Sequence, residues 1–136
     1  MYGYLYRALE DNGIDGDTWA PILTAHTSIE SGWGNEFSRR NNNFGGIKGK
    51  GSSVVSTKEW SPSKGYYTIK DTFKSYRSVQ DFADDYVKKL KNRFKAFDGT
   101  PEDYLKNIRA HGYFTAKLSD YQKMFNGRLK NINDLL

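Results

Sequence analysis

At 136 residues the chain has the length of one domain and can bury a single core. It carries no cysteine, which excludes disulfides, a thiol nucleophile and cysteine–zinc sites, and its two histidines, His26 and His111, are too few for a multi-histidine metal centre. The net charge of +5 is scattered along the chain, so it fits a polyanionic partner, nucleic acid or an anionic bacterial wall, as well as plain solubility.

Residues 2–10 read as a short helix ended by Asn12-Gly13 and Asp15-Gly16. A second helix is predicted from Thr18 to Ser31, capped by Asp17 or Thr18, with Pro21 in its first turn and Gly32 and Gly34 ending it. Glu36 falls on a polar loop, and the Asn- and Gly-rich segment 41–51 reads as a structured loop. Ser53–Trp60 and Tyr66–Lys70, rich in β-branched and aromatic residues, flank Ser61-Pro62-Ser63-Lys64-Gly65 as a hairpin. Val79, Phe82, Ala83, Tyr86, Val87 and Leu90 form a helical apolar stripe behind the cap Ser78. Thr100-Pro101-Glu102-Asp103 starts a helix through Ile108, and Ser119 with Gln122 predicts a capping box for a last helix turning Tyr121, Phe125, Leu129 and Ile132 inward. The fold class expected is α+β, mostly helical, with one hairpin between helices.

Glu30 stands out. On a wheel of about 100° per residue it falls within roughly 40° of the line through Trp19, Ile22, Leu23, His26 and Trp33. A carboxylate on the core-facing stripe loses hydration, and the negative end of the helix dipole disfavours its anion further. Glycosidic cleavage needs such an acid, held protonated to protonate the leaving oxygen. A buried structural glutamate satisfied by backbone amides or a basic partner explains the same pattern. Ser31-Gly32-Trp33-Gly34 allows a sharp exit and offers Trp33 as a stacking face for a sugar ring, or as an ordinary core residue behind a helix stop. The three Trp, ten Tyr and eight Phe fit either role.

The stretch Ile22–Gly34, with Glu30-Ser31-Gly32-Trp33-Gly34 at its end, followed by Asn42-Asn43-Phe44-Gly45-Gly46-Ile47-Lys48-Gly49, resembles glycoside hydrolase family 73. The similarity continues through Ser56-Thr57-Lys58-Glu59-Trp60, Phe73-Lys74-Ser75-Tyr76 and Ala110-His111-Gly112-Tyr113, and spans about Trp19 to Ile132. These are endo-β-N-acetylglucosaminidases of autolysins, flagellar rod-associated hydrolases and phage lysins. The resemblance implies a lysozyme-like helical bundle with a small β-lobe, about residues 50–70, flanking a cleft within a single catalytic domain over 1–136. It implies peptidoglycan as substrate, the bond between N-acetylglucosamine and N-acetylmuramic acid, Glu30 as the catalytic acid, Glu59 as the second carboxylate and Tyr113 as the cleft tyrosine. Gly45 departs from the family, which has Phe before Gly-Ile-Lys.

Read from the residues alone, Glu59 is equally a surface residue pairing with Lys58 or Lys70, and Tyr113 a core residue. Asn42 and Asn43 are turn formers or donors to an N-acetyl group. Lys48 is a solvated lysine or a partner for a lactyl or stem-peptide carboxylate. Trp33, Phe44, Trp60 and Tyr76 complete the candidate substrate contacts. With the resemblance, Glu59 is favoured as base or orienting group, with inverting, retaining and substrate-assisted routes open. No metal or organic cofactor is expected.

Two rivals share the polymer, a muramidase and a lytic transglycosylase; a third is a non-catalytic wall-binding or phage structural module. Nucleic acid is not expected as a partner, since no recognisable reader motif accompanies the charge. Nor is membrane insertion expected, because no stretch approaches a span. The chain is expected to act at the bacterial wall as a monomer or a domain of a larger protein. The N-terminus lacks a signal-peptide pattern, so export falls to another segment, a parent chain, a phage particle or lysis.

Overall fold

A computed structural model describes residues 1–49 and 54–136, with side chains described outside 54–59 and 69–71. The element order is α1 (Tyr2–Asp11), α2 (Gly16–Glu30), α3 (Glu36–Asn41), β1 (Val54–Ser61), β2 (Gly65–Thr72), α4 (Val79–Asn92), a 3-10 turn (Pro101–Asp103), α5 (Tyr104–Ala110) and α6 (Leu118–Leu135). Helices dominate, with one antiparallel hairpin, so the α+β class expected from the sequence is the class observed.

α2 is the central element, packed against α1 and α6. Every residue from Trp19 to Ser28 is buried, so the helix is enclosed all round rather than along one stripe. Its polar residues tolerate this because their hydroxyls return to the helix's own carbonyls. Thr24 donates to Ala20 O at 2.7 Å, Thr27 to Thr24 O at 3.0 Å and Ser28 to Ala25 O at 2.7 Å. Around it close Leu5 and Leu9 of α1, Phe82, Tyr86 and Leu90 of α4, Tyr104 and Ile108 of α5, and Phe125 and Ile132 of α6.

Several boundaries differ from the sequence expectation. α2 starts at Gly16, and its cap is Asp15, which accepts from the Asp17 N–H at 3.2 Å and the Thr18 hydroxyl at 2.6 Å. The early start is possible because a Cβ at Gly16 would lie 2.8 Å from the Tyr6 ring, an approach only glycine permits. Pro21 therefore sits in the second turn, not the first. Glu36, expected on a loop, opens α3, whose cap Asn35 accepts from the Ser38 N–H at 2.9 Å. The expected capping box at Ser119 and Gln122 is absent: α6 begins at Leu118, Lys117 at its cap makes no side-chain cap bond, and Gln122 instead donates to Asn126 at 2.9 Å. The helix starting at Pro101 opens as a 3-10 turn and continues to Ala110.

The hairpin pairs Val54 with Thr72 through Ser61 with Gly65, which places its turn at the Pro-Ser-Lys segment the sequence marks. The expected strand start at Ser53 and the end of the 41–51 loop lie outside the described residues. Ser78 caps α4 as expected, accepting from the Asp81 N–H at 3.0 Å.

Candidate active site

The carboxyl of Glu30 is placed by the end of α2. After Ser31, Gly32 takes φ +55° and the Trp33 N–H returns to Ser28 O at 2.8 Å, the paired signature of a glycine-terminated helix. α5 ends the same way: Gly112 takes φ +85° and the Tyr113 N–H returns to Ile108 O at 2.9 Å. The first ending leaves Glu30 on the last helical residue beside a cleft. The second swings Tyr113 into the same cleft.

That cleft, about 450 Å³, is walled by Gly45, Gly46 and Lys48, by Trp60 and Tyr66 of the hairpin, by the segment 112–116 and by Tyr121 of α6. Glu30 lies in its lining with its side chain 23% exposed. Oε1 accepts a hydrogen bond from the Tyr121 hydroxyl and lies 3.4 Å from His26 Nε2. Oε2 faces the loop, where a Cβ on Gly46 would sit 3.6 Å from it. One oxygen is therefore engaged from the core, and the other lies beside Gly46 in the cleft wall. Burial pushes the Tyr121 hydroxyl far above the ordinary tyrosine range, so it stays a donor.

The 43–49 loop is built around Asn43, buried at 1% exposure. Its Nδ2 donates to Ile47 O and Lys74 O, both at 2.9 Å, and its Oδ1 accepts from the Ile47 N–H at 3.1 Å. Asn42, left-handed at φ +48°, donates from Nδ2 to Tyr76 O at 3.0 Å. Both N–H groups of the Asn43 amide are thus spent on backbone carbonyls, which fixes the loop and removes Asn43 as a donor to an N-acetyl group, while Asn42 commits one of its two. The Lys74 N–H bonds Ile47 O at 2.9 Å and sews the loop to the chain after β2.

Gly45, the departure from the family pattern, has a physical reason. A Cβ there would lie 2.7 Å from the Tyr86 ring and 3.2 Å from the Tyr113 hydroxyl, which donates to Gly45 O at 2.5 Å. Backbone and ring occupy the space a side chain needs.

The structure brings Glu30, Tyr113, Lys48, Trp60 and Asn43 to one cleft and sets the other candidates elsewhere. Glu59 lies on β1 opposite Tyr67, next to Trp60 in the chain, and its side chain is outside the described set. Trp33 is not on the α2 stripe, because the helix ends at Glu30. It takes φ +63°, stands 54% exposed and lines a separate apolar depression with Phe44, its ring 4.6 Å beneath the Arg128 guanidinium. Tyr76 points to α4, where its hydroxyl donates to Asp85 at 2.5 Å. Among the described residues no three His, Asp or Glu side chains group as a metal site.

Tyr121 and His26 are the site residues that sequence reasoning leaves in the core. A tyrosine on a buried stripe signals that its hydroxyl needs a partner, but nothing in the sequence names one 91 positions away.

A helical bundle whose cleft lies against a two-stranded lobe, with one glutamate at the end of the buried central helix, defines the lysozyme-like class. The sequence pattern described as "Mannosyl-glycoprotein endo-beta-N-acetylglucosaminidase" matches residues 6–134, so the chain belongs to the glucosaminidase family, glycoside hydrolase family 73. Among solved structures it is similar to the catalytic domain of the autolysin Auto from Listeria monocytogenes, with 26% identity, a TM-score of 0.67 and coverage of 97% of this chain and 80% of that one. An N-acetylmuramoyl-L-alanine amidase structure from Staphylococcus aureus aligns at 25% identity and a TM-score of 0.76, over 95% of this chain and 39% of that one. A peptidoglycan hydrolase mutant from Sphingomonas sp. A1 shares the fold at 19% identity and a TM-score of 0.74, covering 99% of this chain and 95% of that one. No curated protein matches the chain.

Proposed function

We propose that the chain hydrolyses bacterial peptidoglycan at the β-1,4 bond between N-acetylglucosamine and N-acetylmuramic acid, with Glu30 as the general acid. The observation that carries this reading is the asymmetry of the Glu30 carboxyl, Oε1 engaged by Tyr121 and Oε2 beside Gly46 in the cleft wall. With Oε1 occupied by the Tyr121 hydroxyl, Oε2 is the oxygen left to give a proton to a glycosidic oxygen. Family membership supports glycosidic cleavage, and the autolysin and peptidoglycan hydrolase among similar structures support the wall polymer as substrate.

The proton passes from Oε2 to the leaving oxygen as the C1–O bond breaks, and positive charge grows on the sugar ring. Glu59, on β1, is assigned from the family resemblance as base or orienting group for water or the 2-acetamido oxygen. Tyr113 serves beside them and, through its bond to Gly45 O, holds the Gly45–Gly46 backbone against Glu30. Trp60 and Tyr66 offer stacking faces to sugar rings. Lys48 adjoins Lys89 and Arg93 in a depression of about 140 Å³ that shares Gly46, Lys48, Gly112 and Tyr113 with the cleft, a setting suited to a stem-peptide carboxylate. The place of action is the bacterial wall; among the described residues no helix is long and apolar enough to cross a membrane.

The test is digestion of purified peptidoglycan, followed by borohydride reduction and tandem mass analysis of the released fragments. Reduced N-acetylglucosamine ends are the expected result. Reduced muramic ends would reassign the protein as a muramidase, anhydro-muramic ends as a lytic transglycosylase, and no release as a binding module.

A further inference from the structure

His26 lies one helical turn before Glu30 and is fully buried, at 0% exposure, with no part in the mechanism so far. Its Nδ1 lies 2.7 Å from the Tyr104 hydroxyl and 2.9 Å from the Tyr86 hydroxyl. Its Nε2 has no hydrogen-bond partner among the described residues, and Glu30 Oε1 lies 3.4 Å from it. A buried ring nitrogen left unpartnered is costly, and it persists where something else requires it.

We propose that His26 is a positioning residue for Glu30: a proton on Nε2, directed at Oε1, reserves Oε2 for the proton delivered to the leaving oxygen. The proposal rests on the reading of Glu30 as the general acid.

The proton count follows from the neighbours. Burial pushes the hydroxyls of Tyr86 and Tyr104 well above the ordinary tyrosine range, so both keep their protons and either can donate to Nδ1. With Nδ1 as acceptor, the ring proton belongs on Nε2. The alternative places a nitrogen lone pair against the lone pairs of Oε1 inside a low-dielectric core, which is repulsive. The remaining titratable groups facing the pair are Tyr113, after α5, and Tyr121, on α6. Both are likewise held protonated, chiefly by burial.

Oε1 therefore faces two donors, the Tyr121 hydroxyl and His26 Nε2–H. The second contact, 3.4 Å between heavy atoms, is not a formed hydrogen bond in this structure, so it has room to turn and close. As the O–H bond at Oε2 breaks and its proton joins the leaving oxygen, the C1–O electron pair goes to that oxygen and negative charge builds on the carboxylate. A donor that tightens at that moment stabilises the transition state more than the ground state. His26 keeps its proton throughout.

Two measurements test this. Long-range proton–nitrogen NMR of the wild-type imidazole is expected to show Nε2 protonated and Nδ1 as a bare acceptor; a bare Nε2 with Nδ1 protonated would overturn the proposal, whatever the enzyme does. On peptidoglycan, His26→Leu is expected to lower kcat about tenfold or more with KM within about twofold, the loss expected for one charge-assisted donor. His26→Gln, which restores an N–H at similar reach, is expected to recover most of the rate. Equal loss in both folded variants, or a change in KM alone, would overturn the positioning role. If His26→Leu does not fold, the NMR result and the Gln variant decide. The underlying reading fails separately: a Glu30→Gln protein that still turns over removes the general acid, whichever tautomer the wild-type imidazole shows.

Discussion

Gly45 has no room for a side chain, because the ring of Tyr86 is itself buried and its hydroxyl is tied to His26. Gly45→Ala is expected to destabilise the protein by about 1–3 kcal/mol, the usual effect of overpacking a rigid site, read as a lower denaturant midpoint at unchanged slope. Tyr121 acts differently. Tyr121→Phe keeps the ring stacked 4.0 Å from Phe114 and removes only the donor to Oε1. Its expected effect is a fall in kcat of about tenfold with KM little changed, measured on the same polymer. Of these residues the sequence marks Glu30 directly, since a carboxylate among Trp19, Ile22, Leu23 and His26 violates the pattern around it. Tyr121, Gly45 and His26 act through contacts across the fold, and local pattern carries no information about such partners. Asn43 shows the converse: its residue type suggests a donor to an N-acetyl group, and backbone carbonyls take both its N–H groups first.

Between elements, the stretch after β2 is tied to α4 through Asp85. This carboxyl receives the Tyr76 hydroxyl at 2.5 Å, Lys74 at 3.3 Å and Lys89 at 3.2 Å. Burial alone would push it up, but the hydrogen bonds from Tyr76 and Lys89 and the charges of Lys89 and Lys74 carry it below its ordinary value of 3.8. A folded value below the unfolded one means stability that is present above 3.8 and lost as pH falls through the lower folded value. Asp85→Asn should therefore lower the melting temperature at neutral pH, by an amount corresponding to about 1 kcal/mol after screening of this partly exposed group. The gap to wild type should close as pH drops below the ordinary carboxylate range, and a gap constant with pH would contradict the assignment.

Elements were legible in proportion to their periodicity. α4, with its clean stripe and Ser78 cap, is read from sequence almost to the residue. α3 is six residues, EFSRRN, too short and polar to show a period, and so reads as loop. The α6 boundary fails because a Ser–Gln spacing satisfies the capping pattern while the chain turns into the helix earlier, at Leu118.

Over the whole molecule, the fold was legible chiefly because three ordered blocks resemble one family; periodicity alone gives helices and a hairpin but not their assembly. The cleft is a product of that assembly. It joins the end of α2, the 43–49 loop, the hairpin, the 112–116 segment and α6, elements that touch only when α2 is enclosed by its neighbours. In the proposed function this assembly serves to present Oε2 of Glu30 as a proton donor. The most direct test measures turnover of purified peptidoglycan and binding to it side by side for wild type and Glu30→Gln. The account predicts a rate lower by roughly a hundred- to ten-thousandfold with binding unchanged. Wild-type turnover by the Gln variant would contradict it.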